Sequence, residues 1–92
     1  MEQQNIHIRL AVKGDIYTIA KFNAEMAWES ENINLSMERL KKGVTGLFED
    51  SRRGFYVVAE CDGKVVGQTM ITYEWSDWRN ANFWWIQSVY VM

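Results

Sequence analysis

The chain has 92 residues, with ten Lys and Arg against twelve Asp and Glu for a net charge of -2, a size that fits one domain and excludes a multidomain arrangement. Apolar residues make up 48%, among them five Trp, four Tyr and four Phe, enough large side chains to fill a core and too many for a disordered segment. The acidic balance leaves basic residues only in patches, which argues against a nucleic-acid backbone as the main ligand.

No apolar run approaches the ~20 residues of a membrane span, and Met1-Glu2-Gln3-Gln4 lacks the basic and apolar parts of a signal peptide, so no membrane contact and a cytoplasmic location are expected. One cysteine, Cys61, and one histidine, His7, allow neither an intrachain disulfide nor a Cys/His zinc site, and no metal is expected. Each has a plain structural role as its default, Cys61 as a small hydrophobe and His7 as a strand residue. A triad drawn from His7 and Ser88 has no nucleophile elbow to support it.

In chain order, Ile6, Ile8 and Leu10 alternate with His7 and Arg9, the period of a strand. Lys13-Gly14-Asp15 interrupts it, and Asp15 is placed to cap a helix in which Ile16, Ile19, Ala20, Asn23, Met26 and Ala27 form one stripe, running to about Trp28. A polar loop over 29–34 follows. Ser36 then caps a second helix with Met37, Leu40, Val44, Leu47 and Phe48 on its buried side. Glu38, Lys41 and Lys42 lie opposite, and Gly43 and Gly46 should leave this helix short or bent. The basic residues Arg39, Lys41, Lys42, Arg52 and Arg53, interspersed with acids, read as solvated surface.

From Gly54 the pattern becomes strand-like. Asp62-Gly63 between two such runs suits a two-residue type I′ turn that pairs Cys61 with Lys64, Ala59 with Val66 and Val57 with Gln68. The returning strand reaches about Tyr73, and 76–80 form the next loop. Phe83 to Met92 reads as a buried central strand with apolar residues on both faces, Trp84 and Trp85 pointing opposite ways into packed surroundings. The predicted class is α+β in the order β-α-α-β-β-β, an antiparallel sheet with helices packed on it. No turn or polar tail follows the last strand, so the single domain over 1–92 is expected to be incomplete.

The segments "IHIRLAVKGD", "VVAECDGKVVGQ" and "FWWIQSVYV", in this order of elements, resemble the N-terminal half of the GNAT superfamily of N-acetyltransferases. The resemblance implies a fourth strand followed by a Gly-rich loop and helix N-terminus that hold the pyrophosphate of acetyl-CoA. That segment would lie past Met92. It further implies that Val89, Tyr90 and Val91, at the end of the fourth strand, pair through their main chain with the pantetheine arm of acetyl-CoA as with another strand. No catalytic residue is assigned, because the tyrosine that many members use to protonate the departing thiolate falls after this strand.

Acceptor recognition is implied for the loop between the helices and for strands three and four. There Trp28, Glu29, Glu31, Tyr73, Glu74, Trp75 and Trp78 offer aromatic walls and carboxylates for a cationic amine. Solvated carboxylates at Glu29 and Glu31, and a structural cluster or subunit contact at Trp75 and Trp78, are the simpler readings.

The function so implied is the N-terminal part of a transferase moving acetyl from acetyl-CoA to an amine, with no turnover expected from these 92 residues alone. The alternative is a non-catalytic interaction module that pairs or dimerises through its exposed last strand, and a homo-oligomer formed by that strand is expected in either case. Single-stranded nucleic-acid binding through Trp75, Trp78, Arg79 and Trp84 lacks the basic groove that accompanies such stacking.

Overall fold

The computed structural model describes residues 5–92. Strand β1 (Ile6–Leu10) leads through a single 3-10 turn at Lys13–Asp15 into helix α1 (Ile16–Glu31), which is followed by helix α2 (Met37–Glu49). Strands β2 (Gly54–Cys61), β3 (Lys64–Ser76) and β4 (Ala81–Val91) complete the chain. All neighbours are antiparallel in the order β1-β2-β3-β4. The α+β class and the element order follow the sequence reading.

Both helices lie on one face of the sheet. Ile19 and Ala20 of α1, Val44 and Leu47 of α2, and Tyr56 and Val58 of β2 are the buried core, with Met37, Leu40, Phe48 and Met70 packed against it. The stripe of α2 is the one its spacing predicts, and Ser36 caps it through a 3.4 Å bond from the Arg39 N–H. Helix α2 runs 13 residues, so its two glycines do not shorten it. Phe22 is also buried, a member of the α1 stripe that the sequence reading omits.

Asp15 departs from its expected role. Its side chain does not cap α1 but accepts the Val12 N–H at 2.8 Å and both terminal nitrogens of Arg9, at 2.7 and 3.0 Å. The Arg9 Nε reaches Glu60 Oε1 at 2.6 Å. A planar guanidinium thus ties β1 to the turn before α1 and to β2, using the bidentate geometry that suits a carboxylate. The guanidinium beside it holds the Asp15 carboxyl below its ordinary value, against the opposing effect of burial.

The β2–β3 turn is as expected: Asp62 and Gly63 have φ of 52° and 80°, and Cys61 faces Lys64. Beyond it the register shifts between Ala59 and Glu60, so that Ala59 faces Gly67 rather than Val66 and Val57 faces Thr69 rather than Gln68. A bulge adds one residue to β3 there and moves every later pair by one.

Strand β4 corrects a second expectation, for it is an edge strand and most of its residues are exposed. Trp84 and Trp85 do point to opposite faces, and neither is buried. With β1 and β4 at opposite edges of the sheet, His7 and Ser88 are three strands apart, roughly 14 Å at the usual strand spacing.

Residues directly opposite one another in the ladder share a face. Opposite the helices stand Ile6, Ile8 and Leu10 of β1, Phe55 and Val57 of β2, Ile71 and Tyr73 of β3, and Trp84, Ile86 and Val89 of β4. Among the described residues no element covers them, and the three β1 side chains are 54–64% exposed.

Candidate functional site

The outer edge of β4 pairs with nothing among the described residues. Met70 faces Ser88 and Ile71 faces Ile86, so Gln87 is an extra residue, a bulge on an edge strand. Its side-chain amide donates to Thr72 Oγ1 at 2.7 Å. Past the bulge, the Met92 N–H donates to the Val66 carbonyl. Because main-chain groups alternate sides along an antiparallel ladder, Tyr90 turns its own toward β3, and Val89 and Val91 turn theirs outward. Of the three residues named for main-chain pairing, two therefore present free donors and acceptors at the edge. Tyr90 is occupied within the sheet.

The Tyr90 side chain lies on the helix face. Its ring packs on Phe22 with centroids 5.1 Å apart, and its hydroxyl lies 3.0 Å from Glu25 Oε2 and 3.4 Å from Glu29 Oε1. One hydroxyl proton cannot satisfy two carboxylates, and Glu25 and Glu29, one helical turn apart, repel each other. Desolvation first, and then the hydrogen bond to Glu25, push the Tyr90 hydroxyl up to about 12, so it stays protonated at neutral pH.

Gln68, directly opposite Tyr90 on β3, fixes α1 over this point. Its amide nitrogen donates to the Ile19 carbonyl at 3.3 Å and to Asn23 Oδ1 at 2.9 Å. Beside these residues is an open hollow of about 460 Å³, with Lys21, Phe22, Glu25, Lys64 and Met92 in its lining. Its lining carries the carboxylates of Asp15, Glu25 and Glu60, the cations of Arg9, Lys21 and Lys64, and the rings of Tyr17 and Phe22, near the end of β4.

The structure divides the expected acceptor residues. Glu29 joins the Tyr90 cluster; Trp28 and Glu31 are exposed on the last turns of α1. Tyr73 faces the other side of the sheet, where its ring packs with Phe55 and Trp84 at centroid distances of 6.1 and 5.9 Å. Trp75 shares that side, Glu74 is exposed, and Trp78 stands in the β3–β4 turn, 93% exposed. These residues do not form one pocket.

Glu25 is the residue that sequence reasoning missed. Its spacing of four from Glu29 was a legible signal, but the partner on β4 was not. Among the described residues no group of three or more His, Cys, Asp or Glu is arranged to hold a metal, and no helix is long and apolar enough to cross a membrane.

No family model and no curated protein matches the chain. Solved structures do. A possible acetyltransferase from Clostridium difficile 630 is 57% identical over 94% of this chain, with a TM-score of 0.90. A GNAT family acetyltransferase from Staphylococcus aureus subsp. aureus USA300_TCH1516 matches 94% of the chain at 15% identity and a TM-score of 0.70. A predicted acetyltransferase from Clostridium acetobutylicum, solved with acetyl-CoA, matches 96% at 14% identity and a TM-score of 0.72. The chain spans 57%, 62% and 60% of these proteins, respectively. It thus has the fold of the N-terminal half of GNAT-family acetyltransferases and resembles that family along nearly its whole length.

Proposed function

We propose that this chain supplies the first half of an acetyl-CoA-dependent N-acetyltransferase, with β4 as the strand that receives the acyl donor and the Tyr90 cluster facing the amine. The observation that carries this reading is the 57% identity to a possible acetyltransferase over 94% of the chain. The edge geometry agrees with it. A thioester donor supplies an activated acetyl group on an arm that bears amides, and an extended edge with outward N–H and C=O groups at Val89 and Val91 is suited to such an arm.

Acetyl transfer requires a neutral amine at a polarised thioester carbonyl, with a proton returned to the departing thiolate. An amine arrives at neutral pH as an ammonium. Glu25, which lines the hollow, and Glu29, which shares the Tyr90 hydroxyl with it, attract that charge, and the paired negative charge favours a cation at the position where both converge. Tyr90, kept protonated, orients the carboxylates through its hydroxyl. Phe22 closes one wall against water. The ammonium must lose a proton before it attacks, and no residue of this chain is assigned to accept that proton or to return one to the thiolate.

The test is calorimetric titration of the 92-residue chain with acetyl-CoA and, separately, with CoA. Saturable binding that weakens in Val89→Pro supports the reading, because proline removes an outward N–H without interrupting the β3 ladder. Absence of binding to the unaltered chain, or affinity indifferent to Val89→Pro, removes the proposed role of β4.

A further inference from the structure

The hollow beside α1 holds charges that attraction of an amine does not use. Its lining is drawn from β1, the turn before α1, α1 itself, β2 and β3, with Met92 beside them, so contacts within this chain set its shape. Of its three cations, Arg9 is closed by Asp15 and Glu60. Lys21 and Lys64 enter no ion pair among the described residues. Lys21 is the telling case. Glu25 stands four residues on, the spacing at which opposite charges ordinarily pair on a helix surface, yet its carboxylate is turned to the Tyr90 hydroxyl, 3.0 Å from Oε2. One wall thus presents an anion and a cation a helical turn apart, each with hydrogen-bonding capacity left: Oε1 of Glu25 and the ammonium of Lys21. Lys64, at the start of β3, brings a second cation from the sheet.

From this we infer that the hollow binds a zwitterion, an apolar α-amino acid whose ammonium meets Glu25 and whose carboxylate meets Lys21 and Lys64; its role as the acceptor rests on the acetyl-transfer reading. A plain amine answers Glu25 and leaves both lysines without a counter-charge, whereas an amino acid answers all three. Its two charged groups sit on one carbon, a close spacing that matches wall charges one helical turn apart. The rings of Tyr17 and Phe22, with Val65 and Met92, offer apolar contact to its side chain, and about 460 Å³ lies within the range of small-molecule sites. The amine at a polypeptide terminus has an amide where the free amino acid has its carboxylate, so the lysines select against it. In the transfer the N–C bond forms and the thioester C–S bond breaks. Of the two protons that the ammonium gives up, one ends on the CoA sulfur and the other leaves for solvent, and the products are the N-acetyl amino acid and CoA.

Calorimetric titration of the 92-residue chain with L-phenylalanine tests it, beside phenethylamine and L-phenylalaninamide, which keep the amine and lack the carboxylate. L-phenylalanine is expected to saturate the site and both analogues to bind about tenfold more weakly, the worth of two partly solvated ion pairs. The double variant Lys21→Met, Lys64→Met should erase that preference by weakening L-phenylalanine alone, while Glu25→Gln weakens L-phenylalanine and phenethylamine alike. Both lysines are exposed, so the variants fold, which far-UV circular dichroism verifies, and Lys41→Met on the exposed side of α2 is the unaffected control for net charge. No binding of L-phenylalanine overturns the inference. So does phenethylamine or the amide binding as tightly, or a preference for the carboxylate that survives the double variant. Acetyl-CoA titrated in parallel separates the two readings: acetyl-CoA bound and L-phenylalanine not bound overturns the amino-acid site alone. L-phenylalanine bound in the lysine-dependent way without acetyl-CoA upholds the amino-acid site and removes the role of β4.

Discussion

On the helix side of the sheet Tyr56, Val58 and Gln68 are buried beneath Ile19, Ala20, Val44 and Leu47, whereas on the other side Ile8, Ile86 and Val89 stand in water. The same strands supply both faces, and the uncovered one is the more apolar, since His7, Arg9, Glu60 and Glu74 stand on the helix side and only Lys64 is charged among the paired positions opposite. What distinguishes them is the cover: α1 and α2 both return to one side, so residues of equal hydrophobicity differ fully in their contribution to stability. A branched aliphatic side chain contributes on the order of 2 kcal/mol when buried and little when it stays hydrated. Polar groups divide in the same way, since the Arg9–Asp15–Glu60 clamp and the Gln68 and Tyr90 contacts lie on the helix side.

Substitutions that probe the two faces separately would sharpen this contrast. Ile19→Ala, in the fully buried stripe, should have the largest effect, about 3 kcal/mol of lost stability in urea unfolding. Asp15→Asn follows at about 2 kcal/mol, since it leaves Arg9 without its bidentate partner. The folded Asp15 carboxyl lies below its ordinary value, so its contribution is present above about pH 4 and is lost as pH falls through the lower folded value. Thermal unfolding of the wild type should therefore weaken on acidification more than that of Asp15→Asn.

Tyr90→Phe should have a smaller effect and be recognised by pH rather than size. With the hydroxyl raised to about 12, its contribution is present below about pH 10 and is lost as pH climbs from there through about 12. The variant should lack that decline. Ile8→Ala, on the uncovered side, should cost less than about 0.5 kcal/mol. A larger loss there would mean that the two faces are not as different as their exposure indicates.

Much of this was legible in the residues. Asp62-Gly63 marked the β2–β3 turn because both positions need positive φ, and Ser36 marked the start of α2 because its hydroxyl can meet an orphan N–H. Local chemistry decides such features. Register past the first pairs was not legible, since a bulge depends on how two strands twist against each other. Placement of β4 was misread for a related reason: a run with apolar residues on both faces is what a central strand requires, yet apolarity does not say which neighbours are present. In the candidate site, Glu29 was named as part of a loop but lies in the last turns of α1, which runs to Glu31, and its meeting with Glu25 and Tyr90 depends on α1 crossing β4, across 65 residues of sequence for the closer pair.

The clamp between Arg9 and Glu60 joins residues 51 apart, while β2, β3 and β4 are linked by turns of two and four residues. Loop closure disfavours distant contacts until local ones are in place. The three-stranded meander can therefore form early as a low-contact-order unit, with β1 docking after the helices have brought their end of the chain back. The guanidinium that bridges Asp15 and Glu60 would act as a latch for that late event, and its removal should hasten unfolding more than it slows folding.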